Sequence, residues 1–304
     1  MRRLLLAVVV AIGMLTPVVP AGAADVSPYR GLGAWVDVFD YAPRLQHNGD
    51  PPAVTADSVA DMAALGVRTL YLQIGRDDAN PSTTLIDVKE VRAFVAAAHR
   101  VGIAVVAWYL PSLDNVDADL RPVQGIHRLR VDGRGFDGIG LDMESNTVAN
   151  PTDRNNRLVD FTKRVRSMVG DDTALAAIVY ATVQLEVINP YLWPGFPYRR
   201  LEPSIDVWMP MSYYTFRSQE SGYRDAFAYT QESVERLRKH LRHHDAAVHA
   251  IGGIADLTNA KDYEAFLRAV HDTKAIGYSV YDYGTTSSAA WTYLRKGGGS
   301  NRSG

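Results

Sequence analysis

The segment Asp137-Gly138-Ile139-Gly140-Leu141-Asp142-Met143-Glu144 joins a short apolar run to two carboxylates spaced two residues apart. In a strand side chains alternate, so Gly138, Gly140, Asp142 and Glu144 share a face and the two acids stand about 7 Å apart. Carboxylates that close, in a partly dry pocket, push one another toward a raised pKa, the property a general acid needs near neutral pH. Glu144 is therefore the first candidate for proton donation and Asp142 its partner. The same spacing also fits a strand ending in a polar loop whose acids cap the next helix or bind a structural cation.

Short apolar, β-branched or aromatic runs recur at 33–39, 67–74, 103–110, 138–143, 174–180, 205–211, 247–251 and 275–281, the number of strands that a (β/α)8 barrel requires. Helical patterns lie between them. The pattern at 57–65 stops at Gly66, and Asp87, with Glu90 three residues on, predicts a capped helix with the stripe Val91, Phe94, Val95 and Ala98 before Gly102. Asn150-Pro151 opens a helix through Leu158, Phe161, Val165 and Met168 that closes at Gly170, and 223–241, 261–270 and 287–294 follow. Gly125 interrupts the pattern at 116–129. Strict alternation predicts a parallel sheet, since parallel strands need crossover helices. A doubly wound open sheet is the alternative; against it, Gly31-x-Gly33 precedes the first strand, where a phosphate loop would have to follow it.

Residues 1–23 have the three regions of a secretory signal peptide: Arg2 and Arg3, an apolar run from Leu4 to Leu15, then Pro17, Pro20 and Ala21-Gly22-Ala23. Cleavage after Ala23 predicts an exported chain with one barrel domain over 24–296 and a disordered glycine-rich tail over 297–304. The apolar run is too short for a stable membrane anchor. The chain has no cysteine, so stability must come from a conventional core. Losing Arg2 and Arg3 moves the formal charge from -2 to -4, which offers no electrostatic case for nucleic acid. The reading is a monomer that needs no cofactor and no metal.

In such a barrel the active site gathers at the C-terminal strand ends. The residues falling there are rich in acids and aromatics: Asp37 and Asp40, Arg76 with Asp77 and Asp78, Trp108 and Tyr109, Tyr213 and Tyr214, Asp256, and Tyr281 with Asp282. Sugar rings stack on aromatic faces while carboxylates and amides hold their hydroxyls, so carbohydrate is the ligand class this mix suits. The long loop after the fifth run interleaves Tyr191, Trp193, Phe196 and Tyr198 with prolines, which makes Trp193 the candidate stacking platform; the same rings could simply cover a helix end. Arg76 could clamp a sugar hydroxyl or pair with its neighbouring aspartates. His240, His243 and His244 come late in a helix, on the face opposite the site, and carry little case for a metal.

These residues resemble the family 18 glycoside hydrolases, the chitinases and their relatives, barrels that carry D-G-x-D-x-D-x-E on strand four. The resemblance implies that Glu144 donates the proton to the glycosidic oxygen and that Asp142 orients the substrate's N-acetyl group as it attacks the anomeric carbon. Met211-Ser212-Tyr213 is similar to the family's M-x-Y-D, which implies that Tyr213 supports that same group, and Tyr281 falls where the family places a tryptophan under the sugar. Gly140 stands in place of the middle aspartate, and Tyr214 in place of the aspartate of M-x-Y-D. A conventional pair is the mechanistic alternative, with Asp37 or Asp282 as nucleophile or base to Glu144. The functional alternatives are a carbohydrate-binding protein on a decayed barrel, and metal-assisted cleavage with Asp37, Asp142 and Glu144 as ligands.

Overall fold

A computed structural model describes residues 24–76 and 85–297. Eight strands form one sheet: β1 (Gly31–Val36), β2 (Thr69–Arg76), β3 (Ala104–Leu110), β4 (Gly138–Met143), β5 (Leu175–Tyr180), β6 (Val207–Met211), β7 (His249–Ile254) and β8 (Gly277–Tyr281). Neighbours are parallel throughout, and β1 pairs with both β2 and β8, so the sheet closes into a barrel. That closure gives the (β/α)8 fold and removes the doubly wound alternative. The helices are α1 (Val38–Tyr41), α2 (Ser58–Ala64), α3 (Val88–Arg100), α4 (Val116–Arg128), α5 (Pro151–Val169), α6 (Tyr198–Leu201), α7 (Ala226–Leu241), α8 (Ala260–Asp272) and α9 (Ser288–Gly297).

Helix starts follow side-chain chemistry at most positions. The Asn150 carbonyl oxygen accepts from the Thr152 and Asp153 amides, with Pro151 at the first turn, and Asn259 and Asp262 form a reciprocal capping box on α8. Asp87 does not cap α3: it sits in the left-handed region at φ 51° and makes no side-chain cap bond. The predicted stripe on α3 is nevertheless buried, because tertiary packing and not the cap sets which face turns inward. β1 ends at Val36, earlier than its apolar run, because the Asp37 carboxylate takes the Phe39 and Asp40 amides and starts α1 there. Gly297, expected in the tail, is the last residue of α9; the rest of the tail and the signal segment lie outside the described residues.

Two apolar layers result. The larger lies between sheet and helices; the smaller fills the barrel with Tyr29, Trp35, Tyr71, Val106, Trp108 and Ile178 among others. A polar chain crosses this second layer. His249 Nδ1 lies 2.9 Å from the Tyr29 carbonyl oxygen and 3.1 Å from Tyr71 Oη, its Nε2 lies 2.9 Å from Ser279 Oγ, and Trp35 Nε1 donates to that same Oγ at 2.8 Å. A carbonyl only accepts, so Nδ1 carries the proton and Nε2 accepts from Ser279.

Burial pushes the His249 imidazole down from 6.5 to about 4. Between those values the unfolded chain binds a proton that the folded chain does not, so folding stability falls as pH drops from about 6.5 to about 4, by about 3 kcal/mol from this group. In denaturant titrations the stability advantage of the parent over His249→Gln should shrink by that order between pH 7 and pH 4. A constant difference would contradict the neutral buried imidazole.

Candidate active site

β4 is inward-facing at Gly138, Gly140 and Asp142, and Glu144 follows directly beyond its end. Asp142 is 5% exposed and stands in register with Ile178 of β5. The two glycines are required by what fills the barrel beneath the acids. A Cβ at Gly138 would lie 2.5 Å from the Tyr29 hydroxyl, which shares its proton between the Ile139 and Ala174 carbonyls at 3.0 Å each. A Cβ at Gly140 would lie 3.0 Å from Ile178 Cδ1 and 3.2 Å from Trp108 Cβ. A side chain at 140 would thus need Ile178 and Trp108 to give by a few tenths of an ångström. Asp137, at the start of the motif, is structural: its carboxylate accepts from the Val105 amide and holds His99 Nε2, both at 2.8 Å.

Two tyrosines close on the acids. Tyr180, at the end of β5, donates its hydroxyl to the Glu144 carbonyl at 3.2 Å. Burial, then the charges of Glu144 and Asp142, raise the phenols of Tyr180 and of half-buried Tyr213. Both therefore stand in the field of the two carboxylates as neutral hydrogen-bond donors. Tyr180 is a site residue that sequence reasoning passed over; its signal was its place on the same strand face as Ala174, Ala176 and Ile178. Tyr214 turns away, with its ring packed toward Phe266 in the sheet–helix layer.

Across the mouth, Tyr281 donates its hydroxyl to Asp37 Oδ2 at 2.6 Å. Asp37 Oδ1 accepts from the Phe39 amide at 2.7 Å and the Asp40 amide at 3.2 Å, and its own amide donates to Asp40 Oδ2 at 3.0 Å. Asp282 Oδ1 accepts from the amide and hydroxyl of Thr285 at 2.9 and 3.1 Å. Asp37, Asp40 and Asp282 offer oxygens within 4.8 Å of one another, the arrangement among the described residues that could hold a cation. Sequence reasoning had placed Asp37, Asp142 and Glu144 in that role. Below Tyr281 lies an aromatic floor: Trp35 is stacked on Tyr71 with ring centroids 4.4 Å apart, and meets Trp108 edge-on at 5.6 Å.

Trp193 is not a stacking platform. It is 1% exposed, the Arg154 guanidinium lies 4.2 Å from its ring centre, and its indole N–H donates to Asn155 at 2.6 Å. Both partners belong to the first turns of α5, and Phe196 and Tyr198 are buried beside it, so the loop covers a helix end. Tyr191, at 91% exposure, is its free aromatic face. Arg76 ends β2, but its side chain lies outside the described residues, as do Asp77 and Asp78. His240 faces Glu186, which accounts for it without a metal.

Trp193→Ala should therefore cost stability, about 3–5 kcal/mol in denaturant unfolding, while leaving the affinity for sugar oligomers within a factor of two. A selective loss of affinity would restore the platform role. Asp40 makes a second, pH-dependent case. Burial first, then Asp37 and Asp282, push its carboxyl up from 3.8 to about 7. The folded chain then holds a proton that the unfolded chain releases, so this contribution is present at pH 4 and is lost as pH rises through about 7. The stability of the parent relative to Asp40→Asn should be greater at pH 4 than at pH 8, the reverse of the trend for His249.

No family sequence model matches the chain, and no curated protein matches it in sequence. Solved structures do match. A class V chitinase from Pseudomonas fluorescens Pf-5 is 12% identical over 88% of this chain and 99% of its own, with a TM-score of 0.63. The spore cortex-lytic enzyme SleL of Bacillus cereus is 9% identical over 88% of this chain and 74% of its own, at 0.62. A class V chitinase from Nicotiana tobaccum, solved with NAG4, is 11% identical over 89% of this chain and 99% of its own, at 0.56. The chain thus has the barrel fold of chitinases and related glycoside hydrolases, at low sequence identity.

Proposed function

We propose that the protein is an exported glycoside hydrolase that acts on a polysaccharide or glycoconjugate, with Glu144 as general acid and Asp142 as its partner. The observation that carries this reading is the placement of both carboxylates at the C-terminal end of β4, with Tyr180 and Tyr213 in their field.

Glu144 gives its proton to the glycosidic oxygen, which leaves with the electron pair of the bond to the anomeric carbon. The electron-poor carbon is then met by the carbonyl oxygen of the substrate's own N-acetyl group, which Asp142 and Tyr213 orient. Water opens that adduct as Glu144 takes a proton back. The bonding of Asp37 favours this course over a carboxylate nucleophile from another strand, because its oxygens already serve two amides and the Tyr281 hydroxyl. Tyr281 forms the floor under the sugar with Trp35 beneath it.

A second reading, a carbohydrate-binding protein on a degenerate barrel, draws on the close packing of Ile178 and Trp108 at Gly140. One experiment separates the two: hydrolysis and binding of N-acetylglucosamine oligomers and peptidoglycan fragments by the parent and Glu144→Gln. A hydrolase should lose at least 10²-fold in kcat with binding retained. Binding by both with turnover by neither would leave the binding protein.

A further inference from the structure

The barrel's N-terminal face carries a feature that the sugar chemistry does not use. A cleft of about 1260 Å³ opens at the starts of β1, β2, β3 and β8. Four exposed cations line it: Arg30 just before β1, Arg68 just before β2, Lys274 in the turn leading to β8, and Arg295 on α9. Because β1 pairs with both β2 and β8, Lys274, Arg30 and Arg68 stand in a row across three adjacent strand starts, about 5 Å from strand to strand.

Cations near helix C-termini usually complement the carbonyls there. Other arginines of this chain do so: Arg166 donates to the Gly170 and Thr173 carbonyls, Arg238 to that of Ala246, and Arg199 to that of Leu241. Arg30, Arg68, Lys274 and Arg295 make no hydrogen bond and no ion pair among the described residues. The acids on the cleft wall are already engaged. Asp25 accepts from the amide and hydroxyl of Ser27, and Asp137 from the Val105 amide with His99 beside it. Arg30 also lies in the field of Asp25, and the four cations still outnumber the two carboxylates of the lining, Asp25 and Asp137, so the cleft is positive on a chain whose overall balance is negative.

We propose that this cleft binds a linear phosphodiester polymer without bases, of the polyol-phosphate kind, and so tethers the barrel by the face opposite its catalytic mouth. Guanidinium forks suit phosphate oxygens, and a row of cations along an open cleft suits a chain better than a compact anion. The lining's aromatic, Tyr278, is buried with its hydroxyl on the Leu294 carbonyl, so nucleic-acid bases would find no stacking surface. A concave cleft does not meet a flat bilayer. Carboxylates at the mouth, Asp37 and Asp142 among them, disfavour a polyanion at the other end, which leaves that end open. The inference does not depend on the hydrolase reading.

The test is binding of synthetic poly(glycerol phosphate) to the purified protein by fluorescence anisotropy at several salt concentrations. Alongside it run a single-stranded oligonucleotide of equal charge and phosphatidylglycerol vesicles. Binding should weaken steeply with salt, and should fall at least tenfold in Arg68→Glu/Arg295→Glu and in the milder Arg68→Ala/Arg295→Ala. It should be unchanged in the charge-matched control Arg121→Glu/Arg200→Glu, with unfolding temperatures compared for every variant. No binding, equal losses in the control, or tighter binding to the oligonucleotide or the vesicles would overturn the proposal.

Discussion

The site depends on how the inside of the barrel is filled. A closed eight-stranded barrel has an interior just wide enough for packed side chains, so whatever occupies its lower layers decides what room is left at the top. Here Tyr29 enters from below and reaches across to β4 and β5, and Trp108 and Ile178 meet above it. β4 can pass this traffic because its inward positions there are glycines. The first inward side chain it carries is Asp142, at the level where the barrel opens.

The same packing sets the chemistry of that carboxylate. With Gly140 in place of an acid, Asp142 has no second carboxylate beneath it on the strand. Its surroundings are phenols, Tyr180 and Tyr213, whose pKa values burial and the two acids push upward. A phenol that stays protonated remains a donor through neutral pH, so the two tyrosines do not titrate beside the acids. Across the mouth, Asp40 is pushed up to about 7 beside Asp37 and Asp282.

The strands were legible because each is a short apolar run bounded by turn residues, and the alternation of side chains along β4 was enough to turn Asp142 inward, with Glu144 following beyond the strand's end. What the sequence hid depends on residues far apart in the chain. Asp37 and Tyr281 are separated by 244 positions, and the bond between them exists only once β1 and β8 close the barrel. The error at Trp193 has the same origin. An aromatic in a proline-rich loop reads the same whether it faces ligand or a helix, and here Arg154 and Asn155 at the start of α5 claim both its face and its N–H. Asp87 looked like a cap from spacing alone, but the chain enters α3 in a left-handed turn that points its side chain elsewhere.

The bond between Tyr281 and Asp37 joins these threads. A tyrosine has two side-chain rotations, so holding its ring in one place at the mouth calls for a restraint. The short hydrogen bond supplies it, and Asp37 can act as that anchor because the start of α1 holds its other oxygen on two amides. An aspartate spent in this way is poorly placed to attack a substrate. The tyrosine on β8 and the capping of α1 are therefore one arrangement: the carboxylate that starts the helix is also the one that fixes the ring, and in the proposed reaction it is left as a support and not as a reagent.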